Sequence, residues 1–216
     1  MKELLDKIIA ILTEISSNHN DLDYDDMEEI VDTIGRDIIS WDYGATKYVL
    51  ILRQYDFVLK IPRYERTKTN FCKLEVERYN DAISYGIEKI LLPIQHLITV
   101  NDLPIYIQLK YSTSYYDLSN NEINKLRQTV DTISGQEICN ISQEMNSMVI
   151  PATLWMARVA QLYGLTFLRK LVEWSNDYEV NDLHSSNYGF KNNTPVIFDY
   201  SGYFTESDSD YSSSEF

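Results

Sequence analysis

The sequence predicts an α+β protein with a helical N-terminal extension, a β-rich first half and a helix-rich second half. Three observations carry that prediction. Leu4, Leu5, Ile8, Ile9, Leu12 and Ile15 recur at helical spacing. From Trp41 to Leu109 the apolar residues fall mostly in short β-branched and aromatic runs. After Tyr111 the helical period returns and dominates to about Asn176.

The first helix should stop in the polar run Ser16-Ser17-Asn18-His19-Asn20. Asp25 and Asp26 offer an N-cap and favourable charge for a second helix, with Met27, Ile30, Val31 and Ile34 on one face and Gly35 as its end. These two segments are read as a flank cover for the main fold; an amphipathic partner-binding helix is the alternative. Two consecutive antiparallel strands follow, Tyr48 to Leu52 and Phe57 to Ile61, separated by Arg53-Gln54-Tyr55-Asp56 and stopped by Pro62. A helix is predicted from about Asn70 to Tyr85, with Leu74, Tyr79, Ala82 and Ile83 available for packing and Gly86 as its stop. Ile90 to Val100 and Pro104 to Leu109 are further strands, joined by the turn signal Asn101-Asp102.

In the second half, Asn120-Asn121 opens a helix through Ile123, Leu126 and Val130. Pro151 suits the first turn of one long helix, with Leu154, Ala157, Leu162, Leu165, Leu168 and Leu171 as its buried stripe and an end near Trp174 to Asn176. Asn187 to Phe190 and Val196 to Asp199 form a hairpin around Lys191-Asn192-Asn193-Thr194. Residues 205–216 hold four acids and no base, and read as a disordered acidic tail.

Composition narrows the function. The 216 residues are 44% hydrophobic and 24% charged, with Gly 7 and Pro 5, which excludes collagen-like, low-complexity and disulfide-scaffold classes. Nineteen basic against 33 acidic residues give a net charge of −14, a field that repels phosphate backbones and anionic lipid. The expected partner is therefore a protein, with no nucleic acid and no membrane. Cys72 and Cys139 make no disulfide framework, and His19, His96 and His184 make no metal-binding pattern. Charges interrupt the apolar residues of the N-terminus, so it does not read as a secretory signal, and no run approaches the roughly 18 apolar residues of a membrane span. A cytoplasmic location is expected, in the host cytoplasm if the source is viral.

The strongest motif is Asn181-Asp182-Leu183-His184-Ser185-Ser186-Asn187, followed by the hairpin and Ile197-Phe198-Asp199-Tyr200-Ser201-Gly202. An acid, an amide five residues on, and a second acid after the next apolar strand are parts a phosphoryl-transfer site needs. One carboxylate orients the attacking hydroxyl; the other and the amide hold magnesium.

This set resembles the catalytic loop and metal-binding loop of the protein-kinase-like fold. Asp182 to Asn187 is the D-x-x-x-x-N element and Asp199-Tyr200-Ser201-Gly202 is DFG-like. His184 stands where aminoglycoside- and choline-kinase-like members carry a histidine. Val58-Leu59-Lys60-Ile61 resembles the family's third strand, whose lysine pairs the nucleotide's phosphates, and Glu75 in Leu74-Glu75-Val76-Glu77 is its ion-pair partner; Glu77 faces elsewhere on a helix. The resemblance covers about Trp41 to Phe204 and is strongest to the small kinase-like proteins of phages, other viruses and bacteria. It implies a two-lobed fold: helical extension 1–40, β-rich N-lobe 41–110, truncated helical C-lobe 111–204 and tail 205–216. It also implies ATP and Mg2+ as cofactors. Asp182, Lys60 and Glu75 are then catalytic, and Asn187 and Asp199 are metal ligands. Gly44, Ala45 and Thr46, in the turn ending at Lys47 before the first strand pair, lie over the phosphates, and Gln108 to Tyr111 border the adenine.

The departures are specific. The glycine-rich loop is reduced to Gly44, the His-Arg before the catalytic acid is replaced by Val180-Asn181, and the sequence stops shortly after the metal-binding loop, without an A-P-E segment. Each site residue also has a plainer explanation. Lys60 fits an edge-strand lysine that discourages aggregation. Glu75 fits a solvated helix face, and Asp182, Asn187 and Asp199 fit turn and cap residues. The functional expectation is an ATP/Mg-dependent, Ser/Thr protein-kinase-like phosphotransferase that moves the γ-phosphate to a hydroxyl. The alternatives are a pseudokinase that serves as a protein-binding module, or an acidic inhibitor of a basic or DNA-binding host protein.

Overall fold

The computed structural model describes residues 2–16, 22–35, 38–44, 46–64, 68–110, 118–130, 133–145, 151 and 153–202. The chain divides into two compact units, Met1–Val76 with Pro93–Tyr111, and Glu77–Leu92 with Ser112–Phe216. Ala45, Tyr111, Phe204 and the acidic tail lie outside the described residues. The architecture is α+β, with seven helices, a five-stranded antiparallel sheet and a two-stranded hairpin among the described residues. None of the described helices is long and apolar enough to cross a membrane.

The first unit is built on its sheet. Strands β1 (Ile38–Tyr43), β2 (Lys47–Leu52), β3 (Phe57–Pro62), β4 (Ile94–Val100) and β5 (Leu103–Leu109) lie in the order β1-β2-β3-β5-β4, all neighbours antiparallel. β1 was not anticipated, although Ser40 and Asp42 alternate with Ile39, Trp41 and Tyr43 at the strand period. The Gly44 turn thus joins β1 to β2 rather than preceding the first strand pair. β4 starts at Ile94 rather than Ile90: a 3-10 turn occupies Glu88–Ile90, and Pro93 has no N–H for a ladder. Asn101 and Asp102 both take positive φ (45° and 68°), which suits the two-residue hairpin turn between β4 and β5.

Strand alternation gives the sheet two different faces. Tyr48, Leu50, Leu52, Leu59, Ile61, Val100, Leu103 and Ile105 form one core with the two N-terminal helices. Helix α1 (Lys2–Ser16) contributes Leu4, Ile8, Leu12 and Ile15, and α2 (Tyr24–Ile34) contributes Met27, Ile30 and Ile34. The apolar stripes of these helices are therefore spent on the sheet, as the flank-cover reading requires. The α2 cap differs from expectation. Asp23 Oδ1 accepts the Asp26 N–H at 3.0 Å and Asp26 Oδ2 accepts the Asp23 N–H at 2.9 Å. This reciprocal box spans three residues, so the cap is Asp23 and not Asp25 or Asp26. The opposite sheet face carries the polar residues discussed below.

Helix α3 (Phe71–Tyr85) supplies residues to both units and ends at Gly86, whose φ is 71°. Its Ala82 is buried, but Ile83, expected to pack, is 53% exposed. In the second unit follow α4 (Asn120–Val130), α5 (Ile133–Gln143), α6 (Thr153–Tyr163) and α7 (Leu165–Asp177), then the hairpin β6 (Tyr188–Lys191) and β7 (Thr194–Ile197). α5 was not anticipated, since its polar Ser, Gln and Asn residues blur the period. The single long helix expected after Pro151 is two helices. Gly164 takes φ 87° between them, a conformation that interrupts a right-handed helix. The bend also redirects the expected stripe: Leu168 and Leu171 are fully buried, whereas Leu162 is 43% exposed. Trp155 donates from Nε1 to the Gly189 carbonyl at 2.9 Å, and Arg158 donates from Nε to the Asn193 carbonyl at 3.0 Å, so α6 holds the hairpin. Asn192 and Asn193 turn that hairpin with φ of 50° and 64°.

Candidate functional site

The polar face of the large sheet is set by register. Val49 lies opposite Lys60 and Lys47 opposite Pro62, so Lys47 and Lys60 occupy the same face two positions apart. Tyr106 lies opposite Lys60 from β5, and Gln108 lies opposite Val58, on that face too. Lys60 therefore stands on the central strand, flanked on both sides, and the edge-strand explanation does not apply. Nor is Glu75 on a solvated helix face: it is fully buried, while Glu77 is exposed.

Glu75 is brought to this face by the start of α3. Asn70 caps the helix, with Oδ1 accepting the Lys73 N–H at 2.9 Å, and its Nδ2 donates to the Tyr106 hydroxyl at 2.9 Å. The cap thereby ties the first turn of α3 to β5. One turn further, Glu75 Oε2 accepts from Lys60 Nζ at 2.7 Å, and Glu75 Oε1 accepts from Lys47 Nζ. All three side chains are at most 4% exposed. Lys60 and Glu75, paired in the resemblance, do meet. The second lysine was missed.

The turn before β2 is closed by its neighbours. The Gly44 N–H donates to the Lys47 carbonyl at 3.0 Å, and Arg63 donates from Nη1 to the Gly44 carbonyl at 2.9 Å. Arg63 also donates its backbone N–H to the Thr46 carbonyl at 3.0 Å and stacks over the Tyr48 ring at 5.2 Å. Thr46 and Gln108 are buried. Ala45 lies outside the described residues.

The second unit gathers Asp182, Asn187 and Asp199. The Asp182 loop is anchored to the end of α7: Ser175 Oγ donates to the Val180 carbonyl at 2.8 Å and the Val180 N–H donates to the Ser175 carbonyl at 2.9 Å. Asn187 is buried and donates from Nδ2 to the Asp182 carbonyl at 2.6 Å. Its own carbonyl accepts the N–H groups of Phe198 (3.0 Å) and Asp199 (3.4 Å). One asparagine thus joins both acidic segments. Ser201 Oγ donates to Asp199 Oδ1 at 3.2 Å. His184 Nδ1 accepts the Ser186 N–H at 3.1 Å, which leaves Nε2 as the proton-bearing nitrogen; it lies 3.8 Å from Asp182 Oδ2. Gly202, at φ 81°, closes the segment where a Cβ would stand 2.5 Å from the Glu179 carbonyl oxygen.

Among the described residues no cluster of three or more His, Cys, Asp and Glu side chains is placed to hold a metal. The Asp182, Asn187 and Asp199 set is two carboxylates and an amide. Magnesium takes oxygen ligands and commonly uses one or two carboxylates together with substrate phosphates. Asn187 Nδ2 is committed to the Asp182 carbonyl, so its oxygen is the atom left to act as a ligand, and the donor chemistry fits that ion. Comparison with known proteins adds nothing further: no family model, curated protein or solved structure matches the chain.

Proposed function

We propose that the chain is an ATP- and magnesium-dependent phosphotransferase of the protein-kinase-like fold, acting on Ser or Thr hydroxyls of a protein. The observation that carries this is the buried contact of Lys60 with Glu75 on the central strand. A buried ion pair is a poor way to stabilise a fold, since apolar residues of the same volume serve as well or better. What it does well is hold an ammonium in a fixed place. The helix between β3 and β4 that supplies Glu75 supports reading the first unit as a small lobe, and the Asp182–Asn187–Asp199 arrangement supports reading the second as part of a large lobe.

In this reading Lys60 holds the α- and β-phosphates and Glu75 fixes Lys60. The Gly44–Thr46 turn lies over the phosphates and Gln108 borders the adenine. Asn187 and Asp199 hold magnesium, which neutralises phosphate charge. Asp182 accepts the proton of the acceptor hydroxyl as its oxygen bonds to the γ-phosphorus. The bond from that phosphorus to the bridging oxygen breaks, and ADP leaves. The Asp182–His184 approach keeps the carboxylate beside an N–H donor.

One observation favours the pseudokinase reading. The Gly44 N–H is bonded to the Lys47 carbonyl, so that donor is turned into the protein rather than offered to a phosphate. Transfer of labelled γ-phosphate from Mg-ATP separates the two, measured on the chain itself and on Ser/Thr peptides. The proposal expects transfer, reduced about 10²- to 10⁴-fold in Asp182→Asn. Nucleotide binding without transfer, or equal transfer by wild type and Asp182→Asn, would contradict it.

A further inference from the structure

Lys47 ends the glycine turn, yet its ammonium is on Glu75. One fully buried carboxylate carries two buried lysines, one on each oxygen. We propose that Lys47 is a positioning residue: it keeps Glu75 charged and oriented so that Lys60 can give its ammonium to a nucleotide's phosphates. This rests on the phosphotransferase reading.

An ammonium has three donors, and each one turned to a phosphate oxygen weakens its hold on the carboxylate. A carboxylate with no solvent exposure has no water to take up the difference, and an undercompensated buried charge is costly. If Lys60 were its main cation, phosphate binding would be opposed by the loss at Glu75. Lys47 removes that opposition. It sits on the same sheet face, its contact is to the other oxygen, and its backbone is fixed by the register with Pro62 and by the bond from the Gly44 N–H. Lys47 therefore stays on Glu75 while Lys60 is shared.

The test is calorimetric titration of the full chain with Mg-ATP and with adenosine, below each variant's unfolding midpoint. Wild type, Lys47→Met, Glu75→Gln and the double variant are compared. Lys47→Met should weaken Mg-ATP at least about tenfold, the scale of a lost charged hydrogen bond, and leave adenosine within twofold, since adenosine has no phosphate for Lys60. Because Lys47 acts through Glu75, the double variant should bind Mg-ATP within twofold of Glu75→Gln alone. If Lys47→Met leaves too little folded protein, Lys47→Gln replaces it with the same expectations, keeping the length and a donor. Wild-type affinity in the Lys47 variant overturns the inference and leaves the phosphotransferase reading standing. A double variant tenfold weaker than Glu75→Gln also overturns it, because Lys47 would then touch the phosphates itself. A wild type that binds no Mg-ATP ends both.

Discussion

Glu75 is the residue whose removal should be felt most. Glu75→Gln keeps the shape but takes the negative charge from between two lysines that are at most 4% exposed. Breaking a buried pair from one side costs about 3–5 kcal/mol, because the remaining charge has lost its compensation. For a chain of this length each kcal/mol moves the unfolding midpoint by about 2–4 °C, so a fall of about 6–20 °C is expected. The cost should be local to the first unit. Hydrogen exchange at β2 and β3 amides should accelerate, while amides of α6 and α7 change little. Replacing all three groups together, with Met at 47 and 60 and Leu at 75, should recover most of the loss, since the two lysines and their carboxylate are then removed together. A Glu75→Gln variant within 1 kcal/mol of wild type by urea unfolding, with unchanged exchange in β2 and β3, would refute the reasoning.

Two further predictions concern the second unit. Gly202→Ala puts a methyl 2.5 Å from the Glu179 carbonyl oxygen at a φ of 81°. The backbone penalty alone is about 1–2 kcal/mol, and the clash adds to it, so urea unfolding should show a loss of at least about 2 kcal/mol; a loss under 0.5 would contradict the geometry. Tyr85 hydrogen-bonds the Asp177 carboxylate, which pushes its phenol up to about 12 from 10.0. A pKa raised by folding gives stability that is whole below pH 10 and fades as the pH rises toward 12. Ultraviolet titration should find Tyr85 among the late-ionising tyrosines, and Asp177→Asn should move one phenol's worth of the late signal back toward 10; an unchanged titration in that variant would oppose the assignment.

What the sequence made legible follows the strength of its local signals. The β-rich apolar runs Tyr48–Leu52 and Phe57–Ile61 are strong signals, and the strands stand within a residue of where those runs put them. β1 escaped although its residues alternate at the strand period, because only five of them do so before the Gly44 turn; α5 escaped because its polar residues blur the helical period, and the α6–α7 break escaped because a leucine-rich stripe masked Gly164. The site divides in the same way. Lys60 and Glu75 were found through a motif, whereas Lys47 was visible only through register. The four-residue turn between β2 and β3 puts Val49 opposite Lys60, and alternation then puts Lys47 on the Lys60 face. Asn70 and Tyr106 meet across 36 positions, and no local pattern reports such a contact.

The most direct test of the account is the unfolding midpoint with and without Mg-ATP, on wild type, Lys60→Met and Asp199→Ala. At about a hundred times the dissociation constant, binding should add roughly 2.7 kcal/mol, a rise of about 5–10 °C for a chain of this size. The account predicts a magnesium-dependent rise in wild type that is lost in both variants. No rise at millimolar Mg-ATP, or a rise that survives in both variants, would contradict it.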